Sequence, residues 1–229
     1  MLRAFIAAVL SVVSSAAIAE VSEVRAAQQY GLSYLALMMM EDGKLVEKEA
    51  ERAGGGPLKV LWVKLGNPNA MNDALLSGSL DFASGGVPNL VTLWAKTRNT
   101  PSEVRGVAAL NDMPVELVTS NPAVKTIRDF SEKDKIAVTA IKISTQALLL
   151  QMAAAREWGQ ENFGKLDSLT VSMPHPEAMN ALYAGAITAH FSSPPFQYAE
   201  VKHTGVHRVL NSYDILGGKA TFNLVWTTR

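Results

Sequence analysis

Four histidines, His175, His190, His203 and His207, are the side chains of this 229-residue chain best suited to acid–base or metal chemistry. His203 and His207 stand four apart, the spacing at which two imidazoles on one helix face can share a metal ion. Gly205 lies between them and the flanking residues read as loop and strand, so no metal site is expected there. His190 falls at the end of a predicted buried strand, where a hydrogen-bonded structural imidazole is expected rather than a general base. Asp81 and Asp167 have no carboxylate partner at a spacing that would divide acid and base roles. The chain has no cysteine, which removes thiol nucleophiles, CxxC redox pairs and thiolate metal sites. HExxH, GxSxG and P-loop patterns are also missing; Gly54, Gly55 and Gly56 follow a helical stretch and lack the P-loop lysine, so they read as a turn. Consecutive methionines, Met38, Met39 and Met40, point in different directions on a helix and are expected to fill core, as are Trp62, Trp94, Trp158 and Trp226. With no nucleophile set beside a base, the chain reads as a non-enzyme that needs no cofactor and no metal.

The chemistry that remains belongs to backbone N–H groups and small polar side chains where strands run into helices. Residues 74–88, ALLSGSLDFASGGVP, and residues 181–195, ALYAGAITAHFSSPP, align without a gap, sharing Ala, Leu, Gly and Pro and setting Leu80 against Ile187. Each reads as a helix stopped by Gly78 or Gly185, a short strand, a loop of small residues, and Pro88 or Pro195 opening the next helix. The junctions Gly31-Leu32-Ser33 and Ser144-Thr145-Gln146 are built alike. A helix start presents unpaired N–H groups and the positive end of the helix dipole, so two such loops facing each other would line a ligand cleft.

The elements that must position these loops alternate strand and helix. Strands are predicted at 21–27, 58–65, 80–83, 115–119, 136–141, 169–172 and 187–191. Helices are predicted at 32–52 with a break at Asp42-Gly43, then at 70–76, 88–94, 145–158 with Ser144 as its cap, and 177–183. The pattern predicts two α/β units in series, each with a mainly parallel sheet, divided near residues 115–122.

The first nineteen residues carry Arg3, an uncharged apolar run and Ala17-Ile18-Ala19 before Glu20, which reads as a secretory signal peptide cleaved after Ala19. The run is shorter than the ~20 residues of a spanning helix, and no later segment is long and apolar enough, so an exported soluble protein is expected. The 21 basic and 21 acidic residues balance, with no basic stripe for nucleic acid and no polybasic membrane segment.

Three stretches, GNPNAMNDALLSGSLDFASGGVP (66–88), KIAVTAIKISTQALLLQMAA (135–154) and MPHPEAMNALYAGAITAHFSSPPF (173–196), resemble in order the periplasmic substrate-binding proteins of ABC importers, in the nitrate, sulfonate and taurine branch. The resemblance implies an α/β, two-lobe type II periplasmic binding fold of Venus-flytrap architecture. Residues 20–118 would form lobe one and 119–218 lobe two, with 219–229 a hinge strand returning to lobe one. It implies ligand contacts at Gly31, Ser33, Tyr34, Asn67, Gly86 and Val87 in lobe one, and at Ser144, Thr145, Gln146, Ser193 and Pro195 in lobe two. Ser33, Asn67, Ser144 and Thr145 would hydrogen-bond, Gly86 would admit close backbone approach, and Tyr34 would supply an aromatic wall. The partners implied are a small-molecule ligand and a membrane ABC permease with its cytoplasmic ATPase, served by a periplasmic protein that is monomeric when full-length. Family members run roughly a hundred residues longer, so lobe one is expected to be incomplete at its C-terminus, leaving apolar surface uncovered. No Arg or Lys falls at the mapped positions, and Lys142 is merely near Ser144. A small anion held by helix starts and a neutral or aromatic compound both fit. Enzymes of cofactor-precursor metabolism share this architecture, and a sensor feeding a membrane kinase is a further alternative to transport.

Overall fold

The computed structural model describes residues 21–229; the signal-peptide reading falls on residues outside this range. The first half runs β1 (Glu23–Gln28), a 3-10 turn at Leu32–Tyr34, α1 (Leu35–Gly43), α2 (Leu45–Arg52), β2 (Lys59–Lys64), α3 (Pro68–Leu76), β3 (Ala83–Gly86), α4 (Val87–Thr97) and β4 (Val104–Asn111). The second runs β5 (Glu116–Thr119), β6 (Ile136–Val138), α5 (Thr145–Trp158), β7 (Thr170–Ser172), α6 (His175–Tyr183), β8 (Ala189–Ser192), α7 (Phe196–Glu200), β9 (His207–Asn211) and α8 (Ser212–Leu216). The chain then returns to the first sheet as β10 (Asn223–Thr228). Among the described residues no helix is long and apolar enough to cross a membrane.

The two aligned stretches occupy matching places. After α3, Ser77 N–H donates to Asp73 O, Gly78 N–H to Leu75 O, and Ser79 and Leu80 N–H both to Ala74 O. After α6, Ala184 donates to Asn180, Gly185 to Leu182, and Ala186 and Ile187 both to Ala181, the same bonds at every aligned position. Gly78 and Gly185 have φ of 73° and 72°, the left-handed conformation in which a side chain is strained. Leu80 and Ile187 are both buried beneath the turn.

The sheets repeat the match. In the second, the order is β7-β6-β8-β5-β9, with β6 parallel to β7 and β8 and with β5 antiparallel to β8 and β9. In the first, β2 pairs β1 in parallel, a single parallel bridge from Ala26 to Phe82 joins β1 to the approach to β3, and β10 lies antiparallel between β3 and β4. Each sheet is therefore mixed rather than mainly parallel. The reversed strand is in each case contributed by the chain crossing from the other half: β5 through residues 112–115 and β10 through residues 217–222.

Alternation along β6 sets the layers of lobe two. Ile136 and Val138 pack on one face with Leu117, Leu149, Leu150 and Phe191, while Ala137 faces Val118, Leu182 and Ile187 on the other. In lobe one, Met71, Leu75, Leu80, Leu93, Val104 and Trp226 fill one face. The other face carries an apolar groove of about 260 Å³ whose wall includes Leu37, Met40, Trp62, Phe82, Val107 and Leu110.

Several boundaries differ from expectation. β3 begins at Ala83 instead of Leu80, and its Ala83-Ser84-Gly85-Gly86 holds no residue with high strand propensity. A Cβ on Gly85 would stand 3.1 Å from the Trp226 ring, so glycine there spares a tight contact with the side chain that packs on the strand. Trp94 is 43% exposed and Met39 61% exposed, where core positions were expected, because both lie on the outer faces of surface helices. His203 stacks on Tyr183 and His207 hydrogen-bonds Val124 O, and among the described residues no three His, Cys, Asp or Glu side chains gather as a metal site would require.

Candidate functional site: a closed cleft lined by donors

The starts of α4 and α5 meet across the space between the lobes. α4 follows β3 directly, with Gly86 as its cap residue and no side chain capping it, and Thr145 is the first residue of α5. A Cβ on Gly86 would overlap Thr145 Oγ1 and lie 3.1 Å from Thr145 Cβ. Two more glycines of lobe one sit where lobe two presses closest: a Cβ on Gly31 would be 2.8 Å from Pro194 O, and one on Gly66 would be 2.8 Å from the Pro174 ring. Leu32 N–H donates to Pro194 O at 3.0 Å across the same seam. The lobes are closed on each other.

Between them lies a cavity of about 10 Å³. That is room for about one water molecule, so a larger ligand requires the lobes to stand slightly further apart. Ser33 Oγ, Asn89 Nδ2, Thr145 Oγ1 and Asn223 Nδ2 belong to its wall, are buried, and have no hydrogen-bond partner among the described residues. All four can donate, and each unmade hydrogen bond costs about 1–3 kcal/mol. Among the described residues no Lys, Arg, Asp or Glu lines the cavity. Burial pushes the Tyr34 hydroxyl well above its ordinary range, which keeps it a neutral donor. Burial, and next the charge of His190, hold His175 well below 6.5. The wall is thus neutral and rich in donors, with two helix starts aimed at it. That electrostatic arrangement favours a negative group carrying several acceptor atoms.

Behind the lobe-two wall a hydrogen-bonded chain runs inward. Gln146 Nε2 is 3.2 Å from His175 Nε2, His175 Nδ1 is 2.8 Å from His190 Nε2, and His190 Nδ1 is 2.6 Å from Glu200 Oε1. Thr139 Oγ1 lies 3.4 Å from Gln146 Oε1 at the other end. Both histidines and Glu200 are buried.

Of the residues named from the sequence, Ser33, Tyr34, Gly86, Thr145 and Gln146 are brought together on the cavity wall. Gly31 and Pro195 lie at the seam beside it, where Pro195 Cδ is 3.7 Å from the Cβ position of Gly31. Asn67 and Ser144 are occupied as helix caps, accepting from Asn69 N–H at 2.8 Å and Ala147 N–H at 3.2 Å. Each cap uses a side-chain oxygen as acceptor and leaves the Asn67 Nδ2–H and the Ser144 O–H their donor capacity, and neither residue belongs to the cavity wall. Val87 packs against the lobe-one core, and Ser193 is buried off the wall. The sequence reading missed Gln29, Asn89, Thr139, His175 and Asn223. One signal was available: extending the ungapped alignment back to the start of each helix sets Pro68 opposite His175, and both line the cavity.

Two α/β lobes of matching strand order, each receiving one strand from the other's side and closing on a small cleft, make this the fold of the periplasmic binding proteins. Among solved structures, the alkanesulfonate-binding protein SsuA from Xanthomonas axonopodis pv. citri bound to MOPS is similar over 92% of this chain and 66% of its own, with a TM-score of 0.68 and 21% identity. The aliphatic sulphonate binding protein SsuA from Escherichia coli gives a TM-score of 0.62 and 21% identity over 91% of this chain and 65% of its own. The periplasmic nitrate-binding protein NrtA from Synechocystis PCC 6803 gives 0.66 and 17% over 91% and 56%. The chain thus spans two-thirds or less of the length of these proteins. No protein-family model and no curated protein matches the sequence.

Proposed function

We propose that the chain is an exported solute-binding receptor that captures a small oxyanion, a sulfonate, nitrate or carboxylate, between its lobes and delivers it to an ABC permease driven by a cytoplasmic ATPase. The observation that carries this reading is the convergence of Ser33 Oγ, Asn89 Nδ2, Thr145 Oγ1 and Asn223 Nδ2, buried and unpartnered, where two helix starts meet. A hydrogen bond to a charged group contributes about 1.5–3 kcal/mol, so an anion satisfying several of these donors gains affinity without a cation in the wall. Because Thr145 and Gln146 belong to one lobe and Ser33, Asn89 and Asn223 to the other, a ligand touching both favours the closed state. Of the lobe division expected from the sequence, residues 20–118 and 119–218 with 219–229 returning to the first, the first boundary moves back to about residue 115, because β5 (Glu116–Thr119) pairs with β8 and β9 in the second sheet. The protein is placed in the periplasm after cleavage behind Ala19, and as a monomer when full-length. The similarity in fold to sulfonate- and nitrate-binding proteins supports the ligand class.

Calorimetric titration with methanesulfonate, nitrate and acetate, with glycerol as the neutral control, tests the reading. At least one anion is expected to bind and glycerol not to bind, with Ser33→Ala weakening the anion by about 10- to 150-fold. Equal affinity in the wild type and the Ser33→Ala chain would remove the donor cluster from the site, and binding of glycerol alone would remove the anion.

A further inference from the structure

The chain Gln146–His175–His190–Glu200 has no task in the oxyanion site as described, yet it ends on its wall. Glu200 is fully buried, and its Oε2 has no hydrogen-bond partner. A buried carboxylate with one bare oxygen is a costly place for an uncompensated negative charge, and the imidazole 2.6 Å from its other oxygen is the group able to neutralise it. Every member is buried, and among the described residues His175 is the one imidazole on the cavity wall, so a proton coming from the cleft reaches His190 through its hydrogen bond to His175.

We propose that the cleft binds its anion together with one proton, which enters at His175 and is held on the His190–Glu200 pair. This rests on the oxyanion reading and supplies the countercharge that the wall lacks.

The three distances fit two opposite polarities. In the first, Gln146 Nε2–H donates to His175 Nε2, His175 Nδ1–H to His190 Nε2, and His190 Nδ1–H to the Glu200 carboxylate. Both imidazoles are then neutral, as burial favours for His175. A proton from cleft water binds His175 Nε2, His175 passes its Nδ1 proton to His190 Nε2, and His190 becomes an imidazolium against Glu200. His175 is left neutral as its other tautomer, with an Nε2–H donating to the Gln146 oxygen once that amide turns over. The exchange gains one proton and one positive charge, and converts the cleft-side nitrogen from acceptor to donor. Both changes favour an anion.

The other groups facing this chain are few. Tyr34 shares the cavity wall from lobe one; Tyr183 on α6, whose hydroxyl is pushed up by burial and by Glu200, stacks on His203. On β5 and β6, Val118 and Ala137 stand opposite His190, and the buried Glu116 of β5 is paired with Arg208 at 2.8 Å. Phe196 of α7 stacks on His175 with ring centres 5.7 Å apart, and Glu177 of α6 is exposed.

The test uses the full chain in two measurements. Long-range proton–nitrogen spectra of the ligand-free protein, with labelled histidine, read the tautomers of His175 and His190 from about pH 5 to 8.5, the range in which imidazoles titrate. His190 is expected to gain its second proton while His175 exchanges Nδ1–H for Nε2–H in the same step. Titration with methanesulfonate in two buffers of different ionisation enthalpy then counts protons. Because the anion favours the protonated chain, affinity is highest at low pH. It falls by about tenfold per pH unit between the free and bound midpoints, with uptake approaching one proton, and levels off above. Glu200→Gln keeps a hydrogen-bond partner for His190 but removes the charge, and is expected to abolish both slope and uptake. Rings that keep their tautomers over the whole range overturn the proton site, whether or not a ligand binds and whether or not the variant folds. Methanesulfonate binding with no proton uptake overturns the coupling. If methanesulfonate, nitrate and acetate all fail to bind while the two rings switch together, the oxyanion reading falls and the proton site stands.

Discussion

Replacing Gly86 by alanine should leave lobe one intact and hold the two lobes apart. Gly86 has φ −71° and ψ 152°, extended backbone that alanine adopts freely, so the substitution adds no local strain and should stabilise the chain slightly, by about 0.4–1 kcal/mol, through the unfolded state. Across the seam the new Cβ would overlap Thr145 Oγ1 and lie 3.1 Å from Thr145 Cβ. Rotating the Thr145 side chain can move the hydroxyl but not the Cβ, so the helix itself must retreat by a few tenths of an ångström or the lobes must part. Overpacking of this kind costs about 1–3 kcal/mol, which the closed state alone bears, equivalent to about 5- to 150-fold in closure and in ligand affinity. Hydrogen exchange at the Leu32 amide reads closure directly, because its acceptor is Pro194 O at 3.0 Å on the other lobe. Exchange there should accelerate by that factor while the melting temperature falls, because the closed-state cost exceeds the unfolded-state gain, and the Gly86→Ala, Thr145→Ala double variant should recover part of the protection. Unchanged Leu32 exchange together with unchanged affinity for the anion found by calorimetry would refute the account of the seam.

Trp226 is fully buried in the lobe-one core, and Trp226→Ala should cost about 3–5 kcal/mol in chemical denaturation, uncoupling β10 from β3 and β4. Burial pushes the Asp81 carboxyl up, but hydrogen bonds from the side chain and backbone of Arg25, together with the guanidinium charge, outweigh it and hold the carboxyl below its ordinary value. A depressed carboxyl stabilises the fold above its unfolded pKa and loses that contribution as pH falls through the folded one. With both side chains about a third exposed, denaturation midpoints below about pH 4 should show only a few tenths of a kcal/mol less difference between wild type and Asp81→Asn than at neutral pH. The groove on the outer face of lobe one should make the chain self-associate as concentration rises, and Val107→Glu at its exposed rim should reduce this in sedimentation; equal association would clear the groove of responsibility.

What the sequence determined alone was mostly local. Ser144 capping a helix that ends at Trp158, the stops at Gly78 and Gly185, and the matching turns after them rest on hydrogen bonds spanning a few residues, and such bonds are written in adjacent side chains. The ordered set of motifs also carried the two-lobe fold, because a repeated strand–turn–helix grammar constrains topology.

Tertiary structure decided the rest. β4 and β9 escaped the sequence reading because one reads VRGVAALN and the other HRVLN, patterns too short or too mixed to announce a strand. β10, expected only as a returning hinge strand, takes a place between β3 and β4 that no local signal specifies; pairing with distant strands sets it. The donor set draws on Ser33, Asn89, Thr145 and Asn223, and the inward chain on α5, α6, β8 and α7, all separated in sequence and joined by packing. Asn67 and Ser144 show the reason most clearly. A short polar side chain before a helix can cap it or face a ligand, and only the position of the opposing lobe reveals which atoms are left free.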